Sequence, residues 1–324
     1  MRVLFLYYDP HPVHAEFARA IRSEFKHCYI SLKNISKTKL PTILFNKYDI
    51  CLCEGGAPLF PAVLAKKYIN NDMKIINLVA DETFIALEHP ELSNFSKITN
   101  FLHKVESNYI DAGIAVSNFA KKYASKYING PIKIVHPFIN PTLQKELLKT
   151  KPKINEFNIL FVGRSDFSKG LDLLIESFKN IRKEYPNAKL TIVGRGHNRN
   201  KLGKIDGIEV LGWINNLAKV YSNASLFVQP SRMDTFPVTT LEAMAAGLPC
   251  IVTKMTGTKE LLDKKFISEV NSADLYDKIS GYFSLPISQK IKISKKNKKI
   301  SKQFNRNKQI KKFKIIFNEI LNCI

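Results

Sequence analysis

One loop in the second half of the chain combines two basic side chains with two glycines, between a strand predicted at 159–162 and a helix predicted to start near Leu171. Its residues are Gly163, Arg164, Ser165, Asp166, Phe167, Ser168, Lys169 and Gly170. Glycine permits a tight turn and close approach of a ligand, and free N–H groups at a helix start attract phosphate. A guanidinium binds phosphate oxygens in a bidentate manner, and an ammonium adds a mobile point charge. The loop is a candidate phosphate site, while the same residues also suit a simple helix cap.

Two carboxylates accompany a second strand-to-helix connection farther along the chain. Asp234 lies in the loop, and Glu242 lies in the first turns of the helix predicted at 239–246. Pro237 suits the first helical position, and Gly247 suits the helix end. An acidic residue near a helix start interacts favourably with the helix dipole, and in nucleotide sites such a residue accepts hydrogen bonds from ribose hydroxyls. Both roles are open for Glu242.

Short apolar segments alternate with helical patterns along the whole chain, which predicts an α/β fold. In the first half, strands are predicted at 3–8, 29–32, 50–53, 75–79, 112–116 and 133–135, with helices at 13–25, 58–68, 98–109 and 118–127. In the second half, strands are predicted at 158–162, 189–193, 208–211, 226–229 and 250–253, with helices at 170–185, 214–222 and 239–246. This alternation predicts two Rossmann-like, doubly wound parallel-sheet domains that face a cleft, with ligands beyond the carboxyl ends of the strands. We expect these domains at 1–150 and 151–304, followed by a helix at 305–324.

Further motifs accompany the two connections in order along the chain. They are Val193-Gly194-Arg195-Gly196, Leu211-Gly212-Trp213, Gln229-Pro230-Ser231, Asp234-Thr235-Phe236-Pro237, Glu242-Ala243-Met244-Ala245 and Gly257-Thr258-Lys259-Glu260. Together with the loop 163–170, they resemble the retaining, nucleotide-sugar-dependent glycosyltransferases of family four, or group 1, which have the GT-B fold of two Rossmann-like domains. The resemblance covers most of residues 157–262.

The resemblance implies a role for each matching residue. Arg164 and Lys169 would hold the donor diphosphate and stabilise the charge that develops as the glycosidic bond breaks, in place of a divalent metal. Glu242 would bind the ribose, and Asp234, one methylene shorter than the usual Glu, would contact hydroxyls of the donor sugar. Further donor-binding positions are Gly163, Ser165, Gly194, Arg195, Phe236, Pro237 and Val238. The implied reaction retains the anomeric configuration by a front-face path and uses no metal or other cofactor beside the nucleotide sugar.

The first half of the chain matches the family less closely. Ala80 stands where many members have an active-site histidine. Candidates on the acceptor side are His11, His14, Gly55, Gly56, Asp81 and Glu82, and His89 is a third histidine that could replace the missing one. Loop histidines and glycine pairs also occur for structural reasons, and a carboxylate after a strand also serves as a helix cap. The acceptor is expected to be a glycan, a lipid-linked carrier or a similar hydroxyl compound.

The basic excess is concentrated at the C-terminal end. The formal net charge is +22, and residues 287–324 carry 12 basic side chains and 1 acidic side chain, which is half of the excess. An apolar stripe recurs there at helical spacing: Ile310, Phe313, Phe317, Ile320 and Ile324. It predicts an amphipathic helix that packs near the first domain with its lysines in solvent. A second interpretation places the lysines of 287–324 against an anionic membrane surface.

The N-terminal residues lack the charged head, apolar middle and cleavage site of a secretory signal, and no apolar segment approaches the length that spans a bilayer. We therefore expect a cytoplasmic protein, peripheral at the inner membrane surface if its lysines contact lipid. The five cysteines show no metal-ligand spacing, and Cys51 and Cys53 are expected to be core thiols.

Three other functions fit parts of the pattern. A nucleotide-sugar epimerase on the same fold would act on the donor alone, and a catalytically degenerate relative would bind the donor without transferring its sugar. A nucleic-acid-binding protein would use the high net charge, but that charge is confined largely to one end of the chain. No recognition-helix motif, zinc spacing or ribonucleoprotein signature accompanies it. We expect no nucleic acid partner.

Overall fold

The structure is a computed structural model that describes residues 1–8, 12–22, 24–33 and 46–324. The chain divides into two compact units, of which the first comprises residues 1–137 and 307–324 and the second residues 138–306. Each unit is built on a six-stranded parallel sheet, which confirms the predicted fold class of two Rossmann-like domains. The division falls at residue 137, whereas the polar stretch of the sequence predicts it near residue 150.

The central strands of the first unit, such as those at 50–54, 74–79 and 112–115, are buried on both faces. The strands of this unit are β1 (Arg2–Tyr7), β2 (Lys26–Ser31), β3 (Ile50–Glu54), β4 (Lys74–Val79), β5 (Ala112–Ala115) and β6 (Ile132–Ile134), in the spatial order β2-β1-β3-β4-β5-β6. Because helices cover both sides, strands such as β3 are apolar throughout rather than alternating. Cys51 and Cys53 of β3 are buried free thiols whose sulfur atoms lie 3.5 Å apart, so they are core residues as expected.

The helices of the first unit lie on the two faces of this sheet according to the direction of each crossover. They are α1 (Pro12–Ala20), α2 (Leu59–Tyr68), α3 (Thr83–Glu88), α4 (Lys97–Ser107) and α5 (Asn118–Ala124). The connections β3 to β4 and β4 to β5 move along the sheet in one direction, and β1 to β2 moves in the other. Since parallel crossovers are right-handed, α2 and α4 share one face and α1 lies on the opposite face.

The strands of the second unit form an equivalent sheet. They are β7 (Asn158–Val162), β8 (Lys189–Val193), β9 (Ile208–Gly212), β10 (Leu226–Gln229), β11 (Cys250–Thr253) and β12 (Ile267–Ser268), in the order β12-β11-β10-β7-β8-β9. Its helices are α6 (Pro141–Leu147), α7 (Leu171–Glu184), α8 (Arg199–Leu202), α9 (Leu217–Asn223), α10 (Val238–Ala246), α11 (Ser272–Phe283) and α12 (Ile287–Ser301). Residues 138–150 belong here because Leu147 of α6 is fully buried and the Thr150 hydroxyl donates to the Ala246 carbonyl at 3.1 Å.

Several lysines of α12 make contacts inside the second unit. The buried Lys290 donates to the Phe283 carbonyl at 2.8 Å, where it satisfies an acceptor at the end of α11. Lys298 donates to the Thr150 carbonyl at 2.6 Å, and Lys296 pairs with Asp263 at 2.6 Å. Part of the basic segment therefore stabilises the fold of this unit.

The last helix, α13 (Arg306–Leu321), buries its apolar stripe in the first unit. Phe313 and Phe317 are fully buried, and the Phe313 ring stacks on Phe17 of α1 with centroids 4.9 Å apart. Lys314 pairs with Glu24 at 2.9 Å beside this contact. The apolar face of the helix is thus occupied by protein. Within the described residues, no helix has the length and apolar character needed to cross a membrane.

We expect Phe313→Ala to lower the free energy of unfolding by about 3–5 kcal/mol, because it removes a buried ring and leaves a cavity against Phe17. The matched control is Ile315→Ala on the same helix, whose side chain is 51% exposed and whose loss should cost less than about 0.5 kcal/mol. Urea denaturation followed by circular dichroism measures both. Equal effects of the two substitutions would contradict the packing of α13.

Candidate active site

The sequence motifs of the second unit come together at one edge of its sheet. The loops that contain residues 163–170, 194–196, 230–237 and 254–257 follow β7, β8, β10 and β11. These strands are neighbours and run parallel, so their carboxyl ends meet at the same edge. Ligands of doubly wound sheets bind at such an edge.

The first two loops touch through their backbones at glycine positions. The Gly163 amide donates to the Val193 carbonyl at 2.9 Å, and the Ser165 amide donates to the Arg195 carbonyl at 3.0 Å. Gly194 has a φ of +135°, and a Cβ at this position would overlap the Gly163 carbonyl oxygen. Only glycine fits without strain, so the two loops present exposed backbone next to each other.

Lys169 and Asp234 form an ion pair that joins two loops distant in sequence. The Lys169 ammonium lies 2.8 Å from a carboxylate oxygen of Asp234, and their side chains are 18% and 10% exposed. An ion pair shielded from water in this way is stronger than one on the surface. The structure therefore brings two residues predicted for the donor site into direct contact.

Arg164 occupies a more open position in the same loop. Its Nε lies 2.9 Å from Asp166, and its side chain is 74% exposed. A guanidinium held by one local carboxylate keeps further N–H donors for an incoming anion.

Arg232 is a residue of this site that sequence reasoning missed. Its guanidinium pairs with both carboxylate oxygens of Asp172 at 2.7 and 2.5 Å, and it lies 4.0 Å from the ring centre of Phe167. The hydrogen bonds from Arg232 hold the pKa of Asp172 below its ordinary value. Arg232 thus fastens the 163–170 loop and the start of α7 to the loop after β10. Its partner Asp172 lies 60 residues away in the sequence, and local sequence patterns do not indicate contacts between residues so far apart.

Glu242 is held by a second contact that the sequence did not indicate. The Tyr221 hydroxyl donates to its carboxylate at 2.9 Å. Burial raises the pKa of Glu242 to about 7, while the hydrogen bond from Tyr221 acts in the opposite direction. The carboxyl group therefore changes its charge close to neutral pH.

The remaining predicted donor residues surround these groups. Phe236 is buried and packs on Phe304, with ring centroids 5.8 Å apart. Pro237 is the residue before α10 and Val238 is its first residue, so the helix starts one position after Pro237 and one position before the predicted bound at 239. The Arg195 guanidinium lies 4.3 Å from the ring centre of the exposed Trp213, a cation–π contact.

In the first unit, Asp81 braces a glycine turn at the ends of β3 and β4. Its carboxylate accepts from the Gly56 amide at 2.9 Å and from the Thr83 amide at 3.1 Å. Gly55 has a φ of +75°, and a Cβ there would overlap the Asp81 carboxylate. Asp81 therefore acts as a cap and a brace for the turn. Glu82 is the residue immediately before α3.

His14 and Glu54 form a buried pair in the same unit. His14 Nδ1 lies 2.6 Å from a Glu54 carboxylate oxygen, and both side chains are about one-tenth exposed. The second oxygen of Glu54 is buried without a hydrogen-bond partner. His89 instead contacts Tyr123, with its Nε2 3.1 Å from the hydroxyl. His11 lies outside the described residues.

No three His, Cys, Asp or Glu side chains within residues 1–8, 12–22, 24–33 and 46–324 are grouped so that they could hold a metal ion.

A known sequence family matches most of the second unit. The family described as Glycosyl transferases group 1 matches residues 156–283. An uncharacterized glycosyltransferase of Methanocaldococcus jannaschii, MJ1607, is 34% identical over 187 residues, covering 51% of this chain and 47% of that protein. The alpha-monoglucosyldiacylglycerol synthase of Acholeplasma laidlawii is 30% identical over 251 residues, covering 72% of this chain and 57% of that enzyme. The chain thus spans about half the length of these curated relatives.

The fold is shared along the entire chain. Sucrose-phosphate synthase from Thermosynechococcus elongatus superposes with a TM-score of 0.78 at 15% identity, covering 100% of both chains. Together with the family match and the curated relatives, this likeness shows that the chain belongs to the group 1 glycosyltransferases with the GT-B fold.

We expect the stability of the protein to fall as the pH rises from about 4.5 to about 7 through the titration of Glu242. In this range the folded carboxyl keeps a proton that the unfolded one has lost, so deprotonation favours unfolding. Glu242→Gln removes this contribution, and the wild type should lose about 2 kcal/mol relative to it between pH 5 and pH 8. Urea denaturation at both pH values measures the difference. Parallel pH profiles for the two proteins would refute the burial of this carboxyl.

We expect Gly194→Ala to destabilise the second unit by roughly 1–3 kcal/mol, because the new Cβ meets the Gly163 carbonyl in a strained backbone conformation. Gly281→Ala is the matched control, since its Cβ would meet nothing within 4 Å inside α11. That substitution should stabilise the protein by about 0.5–1 kcal/mol. Thermal unfolding of both variants measures these changes in stability. An unchanged melting temperature in Gly194→Ala would show that the two loops do not need this close approach.

Proposed function

We propose that the protein transfers a sugar from a nucleoside-diphosphate donor to a hydroxyl acceptor with retention of configuration and without a metal ion. The observation that carries the proposal is the Lys169–Asp234 pair, set between glycine loops at the carboxyl edge of the second sheet. Family membership supports the reaction class, and the donor residues are argued from this chain's own contacts.

The diphosphate fits the positive groups at this edge. Lys169 is held in place by Asp234, and the exposed Arg164 is free to adjust to a phosphate. The backbone at Gly163 and Gly194 permits close approach of the ligand. As the bond between the sugar and the diphosphate breaks, negative charge grows on the leaving phosphate, and two nearby cations stabilise it.

The carboxylates suit the hydroxyl groups of the donor. Glu242 accepts from Tyr221 and keeps a second oxygen for the ribose hydroxyls. Such hydrogen bonds favour its ionised form, so donor binding would lower its pKa from about 7. Asp234, fixed by Lys169, would receive hydrogen bonds from the transferred sugar.

Retention is proposed to follow a front-face path. The acceptor oxygen forms a bond to the anomeric carbon on the side from which the diphosphate leaves, and the acceptor proton passes to a phosphate oxygen. No protein nucleophile is needed, so the chain contributes positioning and electrostatic stabilisation.

The first unit is proposed to recognise the acceptor. Asp81, braced by the glycine turn, and the buried His14–Glu54 pair are the polar groups at the ends of β1, β3 and β4. One relative is named for a glycolipid product, which favours a lipid-linked acceptor beside a glycan.

We expect Lys169→Gln and Arg164→Ala to lower turnover on the order of a hundredfold, because each removes a charge that stabilises the leaving diphosphate. Gln at position 169 keeps a hydrogen-bond donor for Asp234 but removes the positive charge, so circular dichroism is used to check that the variant is folded before turnover is compared. Lys179→Ala on α7, an exposed lysine, is the matched control and should leave turnover unchanged. A thermal-shift panel of UDP-, GDP-, ADP- and TDP-sugars first identifies the donor, since a ligand that binds the native state raises its melting temperature.

Three controls separate the alternatives. Conversion of the donor into another nucleotide sugar without an acceptor would identify an epimerase. Donor binding with no transfer to glycan or lipid acceptors would identify a degenerate relative. Loss of activity in a chelator, restored by a divalent ion, would overturn the metal-independent mechanism. Wild-type turnover in both charge variants would overturn the donor assignment.

A further inference from the structure

Two neighbouring helices of the first unit expose large apolar side chains. On α4 these are Ile98, Phe101, Leu102 and Val105, and on α2 they are Phe60, Leu64 and Tyr68. Single exposed apolar residues are normal on a protein surface, but a contiguous group marks an interaction site. These seven residues and the exposed lysines Lys67, Lys97 and Lys104 are named the docking face.

The exposed side of α4 carries lysines and no carboxylate. Lys97 and Lys104 are exposed and lie seven residues apart, so they project from the same side of the helix. The only acidic residue of the helix, Glu106, is buried and lies 3.0 Å from His103. Ile98 and Phe101 are 72% and 65% exposed beside these lysines.

The exposed side of α2 has the same character. Phe60, Leu64 and Tyr68 lie four residues apart and share one side of the helix. Lys67 is exposed next to Tyr68, and the helix contains no Asp or Glu. Between them, the two helices present seven apolar side chains and three exposed lysines.

The two exposed sides belong to one surface. Right-handed crossovers put α2 and α4 on the same face of the sheet. Lys67 lies 4.7 Å from the ring centre of Tyr109, just after α4, and a Cβ on Gly56 would approach His103 of α4 to 3.0 Å. The two helices are therefore neighbours on this face, and their exposed sides belong to the same surface.

We propose that the docking face binds the surface of an anionic lipid bilayer. Its apolar side chains would enter the boundary between headgroups and acyl chains, and its lysines would lie at the anionic headgroups. In a symmetric dimer the same patch meets itself, which would set Lys97 and Lys104 against their own copies with no carboxylate on either helix. Four of the seven apolar side chains are aliphatic and offer no stacking surface for nucleic acid bases, which favours lipid as the partner.

The docking face is distinct from the basic C-terminal segment. The stripe Phe313, Phe317 and Ile320 of α13 is buried, so this segment offers charge beside scattered exposed side chains such as Ile291 and Ile315 rather than an exposed apolar stripe. The contact of Phe313 with Phe17 of α1 also puts α13 on the opposite face of the first sheet from α2 and α4. The proposal is independent of the transferase function, because membrane binding is measured without donor or acceptor.

The test is co-sedimentation of the full chain with vesicles of phosphatidylcholine alone or mixed with an equal amount of phosphatidylglycerol. We expect strong binding only to the mixed vesicles. The double variant Ile98→Ser with Phe101→Ser should bind them on the order of tenfold more weakly, because both side chains lose their apolar insertion. The double variant Lys97→Gln with Lys104→Gln should bind about 25-fold more weakly, since each lysine contributes about a fivefold gain on anionic lipid. All four side chains are exposed, so thermal unfolding should be unchanged.

Matched controls lie in the C-terminal segment. Ile315→Ser removes an apolar side chain that is 51% exposed, and Lys295→Gln with Lys299→Gln removes two exposed lysines of α12. Both controls should bind like the wild type. In addition, brominated anionic lipid should quench the fluorescence of Phe101→Trp. Its quenching of Ile315→Trp should be no greater than its quenching of the wild type, which contains Trp213.

Several outcomes would overturn the proposal. One is wild-type binding in the docking-face variants, and another is binding that is lost in the Lys295 and Lys299 control instead. A third is equal binding to vesicles with and without phosphatidylglycerol. A dimer in light scattering that dissociates in the Ile98 and Phe101 variant would assign the face to a second copy of the chain.

Discussion

The site of the second unit depends on the ion pair between Lys169 and Asp234. It ties the loop after β7 to the loop after β10, and it holds an ammonium at the carboxyl edge of the sheet. Because the pair is largely shielded from water, removal of either side chain would leave the other charge unpaired, which is costly. The Arg232–Asp172 contact supports the same two loops from the side, so the cation is fixed by the fold before any ligand arrives.

The positive charge of the chain serves different purposes in different places. Lys290 and Lys298 satisfy backbone carbonyls at helix and loop ends, so they contribute to the structure of the second unit. Lys97 and Lys104 stand in solvent beside apolar side chains. Arg164 lies at the proposed donor site. Net charge alone would have treated these residues as equivalent, whereas burial and neighbouring groups separate them.

The two units differ in how much chemistry their edges display. In the second unit, cations and carboxylates converge on the ends of β7, β8 and β10. In the first unit, the Asp81 carboxylate accepts hydrogen bonds from backbone amides at a glycine turn, and His14 is paired with Glu54. This difference is what a common donor chemistry and a variable acceptor would produce. The donor always presents a diphosphate and a ribose, but acceptors share only a hydroxyl group.

The amino-acid sequence alone determined the α/β alternation, the order of the strands along the chain and the glycine loops of the second unit, because apolar runs and turn residues act over short distances. It also indicated Arg164, Lys169, Asp234 and Glu242. It missed α11 and α12, whose polar surfaces weaken the helical pattern. Only the tertiary structure decided the partners Asp172 and Tyr221, the burial that raises the pKa of Glu242, and the exposure of Phe101 beside Lys104. Each of these depends on which elements pack together, and local residue patterns carry no information about contacts between residues far apart in the chain.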